Sequence, residues 1–238
     1  MRPDALAETQ LTAESLEPAD GQALLRVLRF GCTANNVTYA LLGDTLGFGR
    51  FFPASVGWTR VPAWGVAEVV ATRTDAVREG ERFFGFCPMA AEMVLTPRAA
   101  PFGVVDVAEH RASLMPAYNA YRHPDAEGQA EQILLRPLFL LAFLLDEDLV
   151  ARDAGGVLLS SASSKTASAI AFLVASRGCH VIGLTSPATS SSYATSASTT
   201  RWWRTTRSTR CRGGRSLSST SPATSGCANA CTSISATI

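Results

Sequence analysis

The sequence predicts an α/β protein: a β-rich first half forming a small barrel, a helical bridge, and a βαβ unit of a parallel sheet. Three observations carry this reading. Short apolar stretches recur between residues 23 and 96, with turn signals about every eight to twelve residues, as in small barrels. Residues 110–121 and 131–149 then carry helical patterns. Residues 157–186 read as strand, small-residue turn, helix and second strand.

Residues 1–20 are polar and acidic, a loose N-terminal arm with no signal-peptide pattern. Residues 23–30, ALLRVLRF, read as a strand, and 31–43 as a loop leading into a short helix. Gly, Phe and Pro dominate 47–62, which reads as an extended surface loop. Three further strand patterns follow: 63–72, with Gly65 allowing close backbone approach, 77–86 behind a turn, and 91–96. The helical stretch 131–149 is expected to break near Pro137. Val157, Leu158 and Leu159 show no alternation, as in a strand buried on both faces. Ala167, Ile170, Ala171, Val174 and Ala175 then recur at helical spacing, Arg177-Gly178 ends that helix, and 180–184 is the next strand.

With 238 residues the chain is long enough for one large or two small domains, and 47% hydrophobic content is ample for a core. A net charge of +1 speaks against nucleic acid or an acidic surface as partner. The longest apolar run, 138–145, is too short to span a bilayer, so no membrane is expected and the cytoplasm is the expected location. The six cysteines form no CxxC pair, and no Cys/His cluster has zinc spacing, so no metal is expected. The three histidines are scattered, and none is taken as a base.

The turn after the 157–159 strand carries the clearest chemistry. A dinucleotide fingerprint uses glycines so that backbone can approach a pyrophosphate. Here Ser161, Ser163, Ser164 and Ala167 stand in those places, small residues of which three carry hydroxyls that donate to phosphate oxygens. Lys165 sits at the helix start, where the dipole disfavours a cation unless an anion meets it; Thr166 follows. A serine-rich turn with a solvated lysine is the alternative. Residues 183–187 contain no acid to bind a ribose 2′-hydroxyl, and Thr185 and Ser186 suit a 2′-phosphate, which selects NADPH over NADH. Tyr118 and Tyr121 belong to a polar aromatic cluster between the domains, where substrates of two-domain enzymes bind; packing against the barrel is the alternative.

The order of these elements resembles the medium-chain dehydrogenase/reductase superfamily. The closer resemblance, over about residues 20–188, is to the domain-of-unknown-function family 2855, through TANNVTYALLGD, FFPA, VPAWGVAEVV, GFCPMA, HRASLMPAYNAY, LLRPLF and SSASSKTA. It implies a GroES-like β-barrel over residues 21–130 and the start of a Rossmann-type nucleotide-binding domain over 131–188. Zinc-dependent members carry a Cys after the first glycine and a Gly-His-Glu before the next strand; here Cys32 lies near the first place, and Ala63-Trp64-Gly65 fills the second. The resemblance therefore implies the zinc-independent reductases, which move hydride from NADPH to an enone, quinone or enoyl-type carbon, with a homodimer as the intact form. Such enzymes need a donor as enolate charge develops, and the matching loop offers Asn36 and Tyr39 for substrate contact. Helix capping by Asn35-Asn36 is the alternative reading there. A non-catalytic relative with a degenerate nucleotide turn is the alternative for the whole chain.

Residues 189–238 break from everything before them. Ser and Thr supply 24 of these 50 residues, and six arginines stand there without Asp, Glu or Lys, against about 25% charge in ordinary domains. The tail is expected to be irregular or disordered. Real disordered tails favour Glu, Lys, Pro and Gln over Trp and Cys. In a GC-rich gene a one-base shift turns Thr codons into Asp, Ser into Val, Arg into Glu and Trp into Val, which restores an alternating apolar pattern. The tail therefore reads as a frameshifted continuation of the domain, and the chain as given as inactive. Sequencing the gene around codon 189 should reveal a second open frame with that pattern; nucleotides offering none contradict the frameshift.

Overall fold

The computed structural model describes residues 1–185, 200–204 and 232–234, and the chain divides into two units, Met1–Pro137 and Leu138–Thr237. In the first, seven strands make one antiparallel sheet: β1 (Ala23–Phe30), β2 (Pro62–Thr72), β3 (Arg82–Pro88), β4 (Glu92–Leu95), β5 (Pro97–Ala100), β6 (Gly103–Asp106) and β7 (Ala120–Arg122). Their order is β4-β1-β2-β3-β7-β6-β5. The two end strands, β4 and β5, are separated in the chain by Thr96 alone, so the sheet curls into a nearly closed barrel. On β1, buried Ala23 and Leu25 face the core while Arg26 points to water. Leu25, Val69, Phe83, Phe86, Leu95, Val104 and Tyr121 fill the interior.

Gly65 on β2 and Gly85 on β3 stand opposite each other. A Cβ on Gly65 would lie 2.5 Å from the Arg29 carbonyl and 2.6 Å from Cys87 Sγ, and one on Gly85 would collide with the Tyr121 ring. Glycine at both positions is therefore steric, and it lets that ring lie against the sheet.

Three sequence expectations change in this unit. The N-terminal arm is not loose: the Met1 amino group donates to the Thr59 carbonyl at 3.2 Å, and Glu14 pairs with Arg60. Residues 47–62 are not simply extended. Helix α1 (Ala34–Leu41) leads into a single turn, α2 (Gly43–Leu46), which Gly47 ends at φ +78°. A 3-10 turn over Phe48–Arg50 then brings Phe48, Phe51 and Phe52 into the core. Residues 110–121 form no α-helix but two 3-10 turns, Glu109–Arg111 and Pro116–Asn119, followed by β7. Pro116 disfavours helical backbone at Met115, and burial of the Arg111 side chain overrides the helical period.

That arginine is 1% exposed. Its Nε lies 3.1 Å from Asp106 Oδ2, an ion pair without hydrogen-bond alignment, and its Nη1 donates to Tyr121 Oη at 3.0 Å. Tyr121 in turn donates to the Phe86 carbonyl at 2.5 Å. Asp106 Oδ1 accepts from the Thr96 and Ala108 N–H groups at 3.1 and 3.0 Å. The guanidinium lies over the Phe52 and Phe51 rings, 4.7 and 5.6 Å from their centroids. Burial works against its charge, but Tyr121 and Asp106 outweigh that, and the group is held more firmly protonated than usual.

Helix α3 (Gln129–Ala151) runs unbroken through Pro137, where a break was expected. Burial of Ile133 before it and of Ala142 and Leu149 after it offsets the missing hydrogen bond, and the boundary between units falls there. No described helix is long and apolar enough to cross a membrane.

The second unit holds a parallel sheet of β8 (Gly156–Leu159), β9 (His180–Thr185), β10 (Thr200–Arg204) and β11 (Thr232–Ile234), in the order β10-β9-β8-β11. Helix α4 (Lys165–Ser176) links β8 to β9. β10 and β11 come from the tail expected to be irregular, so at these residues the expectation is corrected; the rest of 189–238 lies outside the described residues. β8 and β9 thus have a neighbour on each side, not open edges. Val157, Leu159, Ala167, Ile170, Val174 and Val181 pack with Ala142 and Leu149 of α3, and Asp146 pairs with Arg177 at 2.5 Å.

Replacing Arg111 with Met should leave Asp106 buried without a counter-charge, at about 3–5 kcal/mol of stability. Urea unfolding of the full chain checks this; a loss under about 1 kcal/mol would contradict it.

Candidate functional site

Two constellations, one in each unit, carry chemically useful groups. The first lies at the aromatic end of the barrel unit, where α1, β2, β3 and the 3-10 turns meet. Tyr39, on α1, is buried at 7% exposure, its ring 4.5 Å from Phe48 and 5.5 Å, edge-on, from Phe86. Tyr118, half-buried on the Pro116–Asn119 turn, packs at 4.6 Å on Phe86 and 5.4 Å on Phe48. Trp64, half-buried on β2, stacks on Phe84 at 5.5 Å and lies 5.5 Å from Tyr118. Burial pushes the Tyr39 phenol up, and the neighbouring polar groups of Tyr118 and Trp64 partly reverse this. The Tyr118 phenol is raised further, by burial first and then by the Tyr39 charge.

Asn36 and Tyr121 are engaged elsewhere. Asn36 Oδ1 accepts from the Thr33 N–H at 2.5 Å and its Nδ2 donates to the Pro62 carbonyl at 2.8 Å, the geometry of a helix cap tied to β2. Tyr121 is fully buried, with its hydroxyl shared between Arg111 and the Phe86 carbonyl, and burial pushes it up to about 12. It packs within the barrel, the alternative that its sequence context left open. Trp64 is the residue that sequence reasoning passed over. The signal was a large aromatic between two small residues, Ala63 and Gly65.

The second constellation is the turn between β8 and α4. Ser164 N–H donates to the Ser161 carbonyl at 2.9 Å, closing the turn, and Ala162 N–H donates to Leu184 O at 3.1 Å, tying it to β9. Ser164 caps the helix, its Oγ accepting from the Ala167 N–H at 3.1 Å. Ser161, Ser163 and Lys165 are exposed, whereas Thr166 is 3% exposed and belongs to the interior. Lys165 is the chain's single lysine. Thr185 ends β9, and Ser186 lies outside the described residues. No glycine stands between Gly156 and Gly178, so every backbone unit of the turn carries a Cβ. Among the described residues, no three His, Cys, Asp or Glu side chains gather as a metal site.

A family model described as protein of unknown function (DUF2855) matches residues 30–211. No curated protein matches the chain. Among solved structures, the CurF ER cyclopropanase from the curacin A biosynthetic pathway is similar at 15% identity, over 77% of this chain and 52% of that one, with a TM-score of 0.50. CurA from Vibrio vulnificus in complex with NADPH is 12% identical over 74% of this chain and 46% of its own, with a TM-score of 0.45. The quinone oxidoreductase from Coxiella burnetii is 16% identical over 75% and 52%, with a TM-score of 0.42. The chain spans about half the length of these structures. At such identities the first likeness bears on the fold alone: a barrel unit followed by a parallel α/β unit.

Proposed function

The chain belongs to the DUF2855 family, and we propose that the whole protein is an NADPH-dependent, zinc-independent oxidoreductase acting on a carbonyl-conjugated substrate of the enone, quinone or enoyl type. The observation that carries the reading is the β8–α4 turn. It joins a parallel strand to a helix N-terminus through four serines, Ser160, Ser161, Ser163 and Ser164, and places the only lysine at the first helical position.

These groups fit an anionic dinucleotide. The first turn of a helix leaves N–H groups without partners inside the helix, and here the Ser164 side chain takes that of Ala167. Ser161, Ser163 and Lys165 would hold the phosphates, with Ser164 and Thr166 shaping the turn, and Thr185 and Ser186 would meet the 2′-phosphate. Bound NADPH would supply the hydride. In the barrel unit, Tyr39 and Tyr118 would donate to the substrate carbonyl, and their raised phenols stay protonated at neutral pH. Asn36, held as a cap, would support α1 beneath Tyr39.

A second reading, a relative that has lost the nucleotide, draws on the missing glycines and on the use of the Ser164 hydroxyl within the helix. The frameshifted origin of 189–238 is likewise our proposal. It rests on composition, whereas the family match runs past codon 189 to residue 211 in the frame as given.

Titration of the intact protein in its unshifted frame with NADPH, followed by calorimetry, tests the cofactor reading. Binding should be tighter than for NADH, and Lys165→Ala should weaken it about tenfold or more, the size of a hydrogen bond to a charged group. Absence of NADPH binding, or a preference for NADH, would overturn the cofactor reading.

A further inference from the structure

We propose that the outward face shared by α3 and α4 docks a second copy of this chain, in a two-fold dimer that pairs Lys165 of each copy with Glu147 of the other. The inference goes beyond the proposed function and does not rest on it.

The two helices lie side by side and run the same way. The rings of Phe139 and Phe172 meet edge to face, 6.5 Å between centroids, and further along both helices Asp146 pairs with Arg177 at 2.5 Å. On α3, Ala142 and Leu149 are buried within the unit, so the opposite side of the helix faces out. That side carries Leu140, Phe143, Leu144 and Glu147, all exposed and spaced three or four residues apart. On α4, Lys165, Ser168 and Phe172 form the neighbouring exposed row. Leu140 and Phe143 are each 53% exposed, Leu144 57% and Phe172 66%. Phe172 reaches Phe139, one turn from Phe143, so these side chains form a patch and are not scattered singly.

Charge identifies the occupant. Asp146 and Asp148 are taken up by Arg177 and Arg152. Among the described residues, Glu147 and Lys165 make no ion pair within the chain. At a helical rise of 1.5 Å per residue, Glu147 lies about 12 Å along α3 beyond Phe139, and Lys165 about 10 Å along α4 before Phe172. The patch therefore has a negative end and a positive end. A two-fold axis through its middle lays the apolar residues of two copies on each other. It also brings each Lys165 to the partner's Glu147, twice per dimer. A face of one sign would suit an unlike partner, whereas unlike ends suit a copy of the same face. A membrane surface would call for a row of cations beside the apolar residues, and this face has one. A nucleotide phosphate at Lys165 would compete with the partner's Glu147, so the test contains none.

That test is the mass of the full chain in solution, by sedimentation over a range of micromolar concentrations. It compares wild type, Glu147→Lys, Lys165→Glu, the two exchanges together, and Phe172→Ser. All three side chains are exposed, so the substitutions leave the core intact. Wild type should form a dimer. Each single exchange sets like charges against each other twice and should weaken that dimer roughly tenfold. The two together reverse both ends, and should return the affinity to within about threefold of wild type. Phe172→Ser should weaken it by about tenfold or more. Wild type that stays monomeric at every concentration overturns the inference. So does a dimer that the single exchanges or Phe172→Ser leave unchanged, or that the double exchange fails to restore, because it forms through another surface.

Discussion

A guanidinium removed from water organises the barrel unit. Burying a charge without compensation costs several kcal/mol, and a buried pair repays that only when its remaining polar atoms find partners. Arg111 has a carboxylate, a phenol oxygen and two aromatic faces, and the carboxylate is itself held by two backbone N–H groups. The consequence is positional. Phe51 and Phe52 belong to one segment and Tyr121 to another, about seventy residues apart in sequence, and Arg111 touches both. The loop bonds run the same way, with Arg50 donating to Ser113 at 2.9 Å and His110 lying 3.4 Å from the Phe51 carbonyl. The rings around Tyr39 and Tyr118 are walls built on that anchor.

The two units handle small residues in opposite ways. In the barrel, Gly65 and Gly85 are glycine because neighbouring atoms occupy the space of a Cβ. In the β8–α4 turn, where nucleotide-binding folds use glycine for close approach, serines supply hydroxyls instead. The first unit thus trades side chains for close packing, and the second trades backbone access for donors. On the proposed function, such a turn would hold an anion through side-chain hydroxyls and one cation, more than through bare N–H groups.

Much of the fold was legible because period-two patterning survives in β1, whose bounds match the apolar run 23–30, and because the βαβ unit repeats the expected order of run, turn, period and cap. What was hidden has physical reasons. Residues 110–121 have helical spacing, but Arg111 is buried for charge and hydrogen-bonding reasons that no hydrophobic period encodes. Pro137 reads as a break, yet flanking burial carries α3 past it. β5, with the sequence PRAA, holds no large apolar residue and shows no alternation. Of the candidate residues, Tyr39 and Tyr118, 79 positions apart, come together through shared packing on Phe48 and Phe86 that local reading cannot pair, while Trp64 was read only for the zinc ligand its place lacks. The tail was read from composition alone, and backbone pairing at 200–204 and 232–234 is independent of composition.

If Arg111 is the anchor, its loss should be felt along particular stretches of chain before the sheet as a whole. Amide hydrogen exchange on the Arg111→Met chain, compared with the wild type under conditions where both are folded, measures this directly. The account predicts that residues 48–52 and 111–121 lose protection together, while the paired β1 and β2 amides keep most of theirs. Protection unchanged in those two segments, or lost evenly across the barrel, would contradict it.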